Sequence, residues 1–566
     1  MRLLANSGTL MLSLLAVACA GATQRSAESA TAAAITPADL EYRLHIIADD
    51  SMMGRASGGE GDFKTAAYVA SEFRRLGLEP AGENGTYFQT VPFWTAAADP
   101  ASQLVVGGTS PETCGDQRCV ILQLGRDFLP NSIAALHRDL AGVDVVYGGS
   151  LGNPASLIGP DQAAGKLVVV MPRDASLRGL RLDPRRFAGA TAIAIAMLDD
   201  LPPEFAARLR DGRPVNDTST NASLVPILWI ARSAAATLLG AAPEGLAPGA
   251  TGRKVSGGFG FARRQVRYPA RNVVAILRGS DPALRGEYVS LSAHNDHVGF
   301  DHSPVDHDSL RAFNRVIRPM GADSPLREPT PDEWARIHGI LDSLRRVHPP
   351  RLDSIRNGAD DDGSGTVSIL EVAEAMSHGE RPRRSILFVS HTGEEDGLVG
   401  SRWFTDHATV PLDSVIGEID QDMIGRGTAT DMPHDGTGAG SPTYLEVIGA
   451  KRLSREFGDA LDSANAHQPL PFVFNLEYDQ PGHPLQYYCR ADHYGYARYG
   501  IPAVALSRGE HLDYHQVTDE AQYIDYQDLA RVSRMVHDVA MLLANRPNRP
   551  KLDVPKPADP HGPCRQ

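Results

Sequence analysis

Cysteine is scarce, at five in 566 residues, and no CxxC pair occurs. That excludes a zinc–thiolate centre, so any metal must rest on histidine and carboxylate. Positive charge is also short. Lys and Arg number 55 against 69 Asp and Glu, a formal charge of −14. No basic patch dominates, which argues against nucleic acid as a partner. Beyond the N-terminus no apolar run is long enough to span a bilayer. What remains is an ordinary globular composition, 42% hydrophobic and 22% charged. The length is too great for one compact core and predicts about two to four domains.

The N-terminus reads as an export signal over residues 1–19. Arg2 precedes an apolar run, Leu10 to Ala18, that ends in small residues. Ala16-Val17-Ala18-Cys19 is laid out like a bacterial lipoprotein cleavage box, with Cys19 as the lipidated residue and a membrane attachment point. The alternative is ordinary cleavage at Ala20-Gly21-Ala22. Either way the expected location is outside the cytoplasm, as a periplasmic or outer-membrane lipoprotein or a secreted protein. Residues 20–35 are small and polar and read as a flexible tether. Of the remaining cysteines, Cys114 and Cys119 bracket a Gly-Asp turn, and a small-loop disulfide is expected there. Cys489 and Cys564 are left over, and sequence does not fix their pairing.

Residues 36–104 and 266–545 read as one catalytic domain. In the second part, short runs rich in Val, Ile and Leu predict buried strands at 272–277, 287–292, 385–390, 415–419, 444–448 and 503–506. Helical spacing predicts helices at 366–376, 453–464 and 529–543, with another at 63–76 before Gly77. This alternation predicts an α/β three-layer sandwich around a mixed, mostly parallel central sheet. Residues 105–265 carry β-rich runs such as 143–147 and 166–170 and none of the acidic motifs described next. They read as a separate inserted domain. A second, polar insertion at 301–356, with one helix at 331–346, reads as a lid beside the active site. Residues 546–566 read as an extended tail.

Five segments place acids or histidines where strands should end, and ligands collect at the carboxyl ends of strands in such sheets. In Ala293-His294-Asn295-Asp296-His297, residues 294 and 296 share a face of extended chain. His294 is read as a metal ligand and Asp296 as the acceptor that orients it; His297 would face the other way. In Gly358-Ala359-Asp360-Asp361-Asp362-Gly363, helix capping needs only one or two acids. A carboxylate can also bridge two ions, and Asp361 is assigned that part. In His391-Thr392-Gly393-Glu394-Glu395-Asp396, adjacent acids repel unless a cation compensates. Glu395 is assigned to metal and Glu394 to general acid/base work. In Asp420-Gln421-Asp422, an acid ending an apolar strand is costly without a partner. Asp422 is the ligand, with Asp420 as the alternate. In Tyr514-His515, His515 would complete the set. Two histidines and three carboxylates suit zinc, with manganese or cobalt as alternatives. Two ions would polarise a carbonyl and activate a shared water.

In this order the segments HND, GADDDGSG, GEEDGLVGS, DQDMIG and YHQVTD resemble the co-catalytic di-zinc aminopeptidase family, which includes bacterial leucyl aminopeptidases, aminopeptidase Y and glutamate carboxypeptidase II. The resemblance covers residues 36–105 and 265–545. It implies two zinc ions per chain, one held by His294 and Asp422 and the other by Glu395 and His515, with Asp361 bridging. It further implies that Glu394 is the proton carrier and that Tyr514 hydrogen-bonds the developing oxyanion. Asp492-His493 looks like the family's Ser-Asp-His segment, with Ala491 in place of the serine. The stretch 144–170 looks like a protease-associated domain. The reaction implied is removal of N-terminal residues from peptides. Alternatives on the same site are carboxypeptidase, dipeptidase or glutaminyl cyclase chemistry, or a non-catalytic receptor-like binder; retention of every ligand position argues against the last.

Overall fold

A computed structural model describes residues 31–566 except 111–113, 115–118, 132–136, 173–181, 183, 202, 217–224, 326, 348, 428–430, 433–437 and 565. The signal segment, Cys19 and residues 20–30 of the tether lie outside the described residues.

The strand-forming runs build a nine-stranded sheet: β1 (Glu79–Pro80), β2 (Phe88–Val91), β3 (Ala270–Leu277), β4 (Tyr288–His294), β5 (Ser385–His391), β6 (Val415–Gln421), β7 (Tyr444–Ile448), β8 (Val473–Asn475) and β9 (Ala503–Ser507). Their order is β1-β3-β5-β4-β6-β9-β7-β8, with β2 also paired to β3. The four middle strands, β5, β4, β6 and β9, run parallel. The pair β7 and β8 is also parallel. β3 runs antiparallel to β5, β1 and β2, and β7 runs antiparallel to β9. The expected mostly parallel sheet is therefore corrected to an evenly mixed one with a parallel centre. The short 278–287 connection holds no helix, so β3 cannot cross over and return parallel.

Period-two alternation sends side chains to both faces of this sheet. Val273, Ala275 and Leu277 of β3 and Val289, Leu291 and Ala293 of β4 join one core. That core is closed by α1 (Pro37–Ile47), α2 (Glu60–Arg75), α3 (Gly365–His378), α4 (Arg455–Ala466) and α5 (Tyr526–Asn545). Val274, Ile276, Leu387 and Val389 face a second core under the helices Val399–Asp406 and His493–Ala497. Three layers result, and each fully buried Leu or Val side chain contributes roughly 1.5–3 kcal/mol. On α5 the stripe Leu529, Val532, Val536, Val539 and Leu543 is buried throughout. α1 starts at Thr36, whose side chain accepts the Asp39 N–H, with Pro37 in the first turn.

The β-rich segment forms its own eight-stranded sheet, running from Gln103–Val106 to Thr251–Phe259, with two cores of its own. Strands Phe93–Ala98 and Phe261–Gln265 pair antiparallel and form the stem that joins it to the main sheet. The insertion after β4 differs from the single helix expected of it. Strands Phe300–Asp306 and Leu352–Ile355 form an antiparallel stem, and two helices follow, His307–Ile317 and Pro331–Arg345. The first was hidden in a polar stretch because its buried face includes Asp308, Arg311 and Asn314. Among its described residues the tail 546–566 has neither helix nor strand, and it is tied back by a Cys489–Cys564 disulfide and a 2.8 Å Lys556–Asp413 ion pair. Cys114 and Cys119 are also bonded.

Candidate metal centre

Parallel strands leave their carboxyl ends on one edge, and the five motifs converge there. β4 ends at His294, β5 leads into Glu394 and Glu395, β6 ends one residue before Asp422, and β9 leads into Tyr514 and His515. Asp361 reaches the same place from the loop that opens α3.

Asp361 is the hub. Its Oδ1 lies 3.2 Å from His294 Nε2, and its Oδ2 lies 3.0 Å from His515 Nε2. His294 Nε2 also faces Asp422 Oδ1 at 3.6 Å. His515 Nε2 faces Glu395 Oε2 at 2.9 Å. Two ligand groups follow, His294–Asp361–Asp422 and His297–Asp361–Glu395–His515. All five sequence-derived ligands are thereby brought together, joined by His297, which sequence parity had turned away. The strand stops at His294, so the extended-chain rule does not apply two residues on. The alternate, Asp420, lies outside both groups: its carboxylate accepts the Ser292 hydroxyl and the His493 N–H, each at 3.1 Å.

The donor set fits divalent metal. His294 Nε2, both ring nitrogens of His297, Asp422 Oδ1 and Glu395 Oε1 are buried without a hydrogen-bond partner among the described residues. Buried polar atoms left so are costly, and these converge on common points. Imidazole nitrogen with carboxylate oxygen suits zinc.

The surrounding contacts assign the other acids. Asp362 accepts the N–H groups of His294 (3.1 Å) and Gly365 (2.8 Å). Asp360 accepts Gly425 N–H at 2.6 Å. Only the middle acid of the three faces the ligand groups. Gly358 makes that loop possible, with a φ of +54° and no room for a Cβ against Asp361 O and the His297 ring. Asp296 lies 3.6 Å from His294 Nδ1 through its carboxylate, while its backbone carbonyl lies at 3.2 Å. Its carboxylate also accepts Ser57 Oγ at 3.0 Å.

Arg55 was missed by the sequence reading. It is fully buried and donates to the carbonyls of Asn295 (3.0 Å), Ile47 (3.1 Å), Asn357 and Gly358 (2.8 Å). It thus clamps the His294 loop to the Asp361 loop. No local motif marks it, because its partners are backbone carbonyls and all of these but Ile47 O are distant in sequence.

A cleft of about 590 Å³, open to solvent, is lined by Asp361, Glu394, Asp422, Arg490, Glu510 and Tyr514 among others. Burial pushes the Glu394 carboxyl well above the usual carboxylate range, with Asp422 reinforcing and His294 opposing. Burial, then the charges of Asp361 and Glu395, raise the Tyr514 phenol far above its ordinary value, which keeps it a hydrogen-bond donor. The first insertion helix and the turn after it reach this loop: Asn314 donates to Leu512 O at 2.8 Å, and Ala322 N–H to Tyr514 O at 3.0 Å.

Residues 272–540 match the model of Peptidase family M28. A probable zinc metalloprotease of Pyricularia oryzae is 26% identical over 243 residues, 38% of this chain and 48% of that protein. Aminopeptidase Y of Saccharomyces cerevisiae is 26% identical over 247 residues, 40% of this chain and 42% of that protein. The chain thus spans less than half the length of these two relatives. Among solved structures, an aminopeptidase from Aneurinibacillus sp. strain AM-1 is 17% identical, covering 92% of this chain and 96% of that one at a TM-score of 0.47. Residues 272–540, which carry all five motifs, are thus similar to Peptidase family M28.

Proposed function

We propose that this chain is a two-zinc aminopeptidase that removes N-terminal residues from peptides. One observation carries the reading. The two oxygens of Asp361 face two different histidines, His294 at 3.2 Å and His515 at 3.0 Å, and each histidine is backed by a further carboxylate. His294 and Asp422 would hold one ion and Glu395 and His515 the other, with Asp361 shared. When bound, such a pair supplies Lewis acidity toward the scissile carbonyl and the attacking water.

The chain's own residues do the rest. Glu394 lines the cleft beside Asp361 and Asp422 and is placed to take the proton of the attacking water and return it to the departing amine. Tyr514 donates toward the oxyanion. Asp296 holds the Glu394–Glu395 turn in register through hydrogen bonds to its backbone. The β-rich unit at 105–265 acts as a protease-associated domain that limits access, and the 301–356 insertion as a lid. The chain works outside the cytoplasm, anchored through Cys19 or free. Among the described residues no helix is long and apolar enough to cross a membrane.

The test is a peptide with its C-terminus blocked and its N-terminus free. Release of the free first residue, abolished by chelator and restored by zinc, is the expected result. Turnover only of peptides with a free C-terminus, or cyclisation of N-terminal glutamine, would overturn it.

A further inference from the structure

Three imidazoles meet at Asp361, although the resemblance accounts for two. His297 is 1% exposed. Its Nδ1 lies 2.8 Å from Glu395 Oε1 and 3.7 Å from Asp361 Oδ2. Its ring stands edge-on to that of His515, with centroids 5.4 Å apart. Among the described residues neither ring nitrogen has a hydrogen-bond partner, and neither does Glu395 Oε1. Despite the 2.8 Å separation, the two atoms are therefore not in hydrogen-bond geometry. The Gly358 backbone packs on the ring so closely that a Cβ there would fall 2.5 Å from it, which fixes the ring in place.

We propose that His297 is a direct ligand of the ion held by Asp361, Glu395 and His515. The inference rests on the two-zinc reading above. Bonds of about 2.0–2.2 Å in a tetrahedral zinc site separate ligand atoms by about 3.3–3.6 Å. The separations within this group, 2.8 to 3.7 Å, bracket that range. The two ions then differ in kind. One has four protein ligands and would take the shared water only by expanding to five-coordinate, as zinc can. The other, at His294, Asp361 and Asp422, has three and keeps a position open, as catalytic zinc has.

The test uses the zinc-loaded full chain. Zinc X-ray absorption counts imidazoles, and metal content is followed through dialysis against a graded chelator series. We expect three imidazoles over two zinc ions in the wild type, and one ion retained far longer than the other. In His297→Asn one zinc should leave at a chelator concentration at least about a hundredfold lower than in the wild type, with the second ion's release unchanged. Asparagine keeps a polar group near the Nδ1 position, so a histidine that only hydrogen-bonds Glu395 predicts normal retention in this variant and weakened retention in His297→Ala. That pattern, or two imidazoles per two zinc ions in the wild type, overturns the proposal. A wild type that holds no stoichiometric zinc overturns both this proposal and the reading beneath it. Two retained ions indifferent to position 297 overturn this one alone.

Discussion

Asp296 Oδ1 accepts the backbone N–H of Glu394 at 3.2 Å. The other carboxylate oxygen accepts Glu395 N–H at 3.4 Å. The residue two positions beyond the His294 ligand therefore positions both the proposed base and its metal-binding neighbour. Asp296→Asn turns one acceptor into a donor that faces an N–H. Activity or metal affinity should fall about 10–100-fold, with the fold intact by circular dichroism. Kinetics indistinguishable from wild type would remove Asp296 from the site.

Arg55 holds two ligand loops together through backbone carbonyls, and only a planar fork with several donors spans them. Arg55→Lys leaves several buried carbonyls unpaired, at about 1–3 kcal/mol each. Denaturant unfolding should show a loss of at least about 3 kcal/mol, accompanied by weaker zinc retention. A stability loss without any change in zinc retention would limit Arg55 to a structural part.

Glu371 on α3 faces the buried Arg43 at 3.2 Å. Burial outweighs the guanidinium and pushes the carboxyl up to about 7 from the ordinary 4.5. The folded state then keeps a proton that the unfolded chain has released. Glu371 thus contributes stability that is complete below about pH 4.5 and is lost as pH rises toward 7, on the order of 3 kcal/mol across the window. Glu371→Gln keeps the size and removes the titration, while one of the two acceptors, toward Thr36 N–H or Arg43 Nε–H, becomes a donor. Its unfolding free energy should lose about one proton's worth of pH slope between those limits. An unchanged slope would contradict the assignment.

The Cys489–Cys564 disulfide ties the tail to the segment that carries Tyr487 and Arg490, both lining the cleft. Replacing both cysteines with serine should cost about 2–4 kcal/mol and raise KM more than it lowers kcat, since it loosens a cleft wall that carries none of the proposed catalytic groups. Thermal unfolding and steady-state kinetics on one short peptide check both parts.

Much of the site is legible in the chain because His294, Glu395 and Asp422 lie at or just past the ends of strands that hydrophobic runs mark clearly. His294, Asp361, Glu395, Asp422 and His515 could be ordered before any coordinates. Long-range contacts were not legible. Arg55 acts through carbonyls some 240 to 303 residues away, and no spacing encodes that. His297 was lost to a parity rule that holds only inside a strand. The helix His307–Ile317 was lost because its buried face is polar, satisfied by partners such as Asp431 and Asp513. The antiparallel setting of β3 depended on one short connection.

The most direct test of the account is turnover per metal-loaded chain in Glu394→Ala. We predict that the variant retains the wild-type complement of two divalent ions while kcat falls about 10²–10⁴-fold. A loaded variant with near-normal kcat would contradict the account.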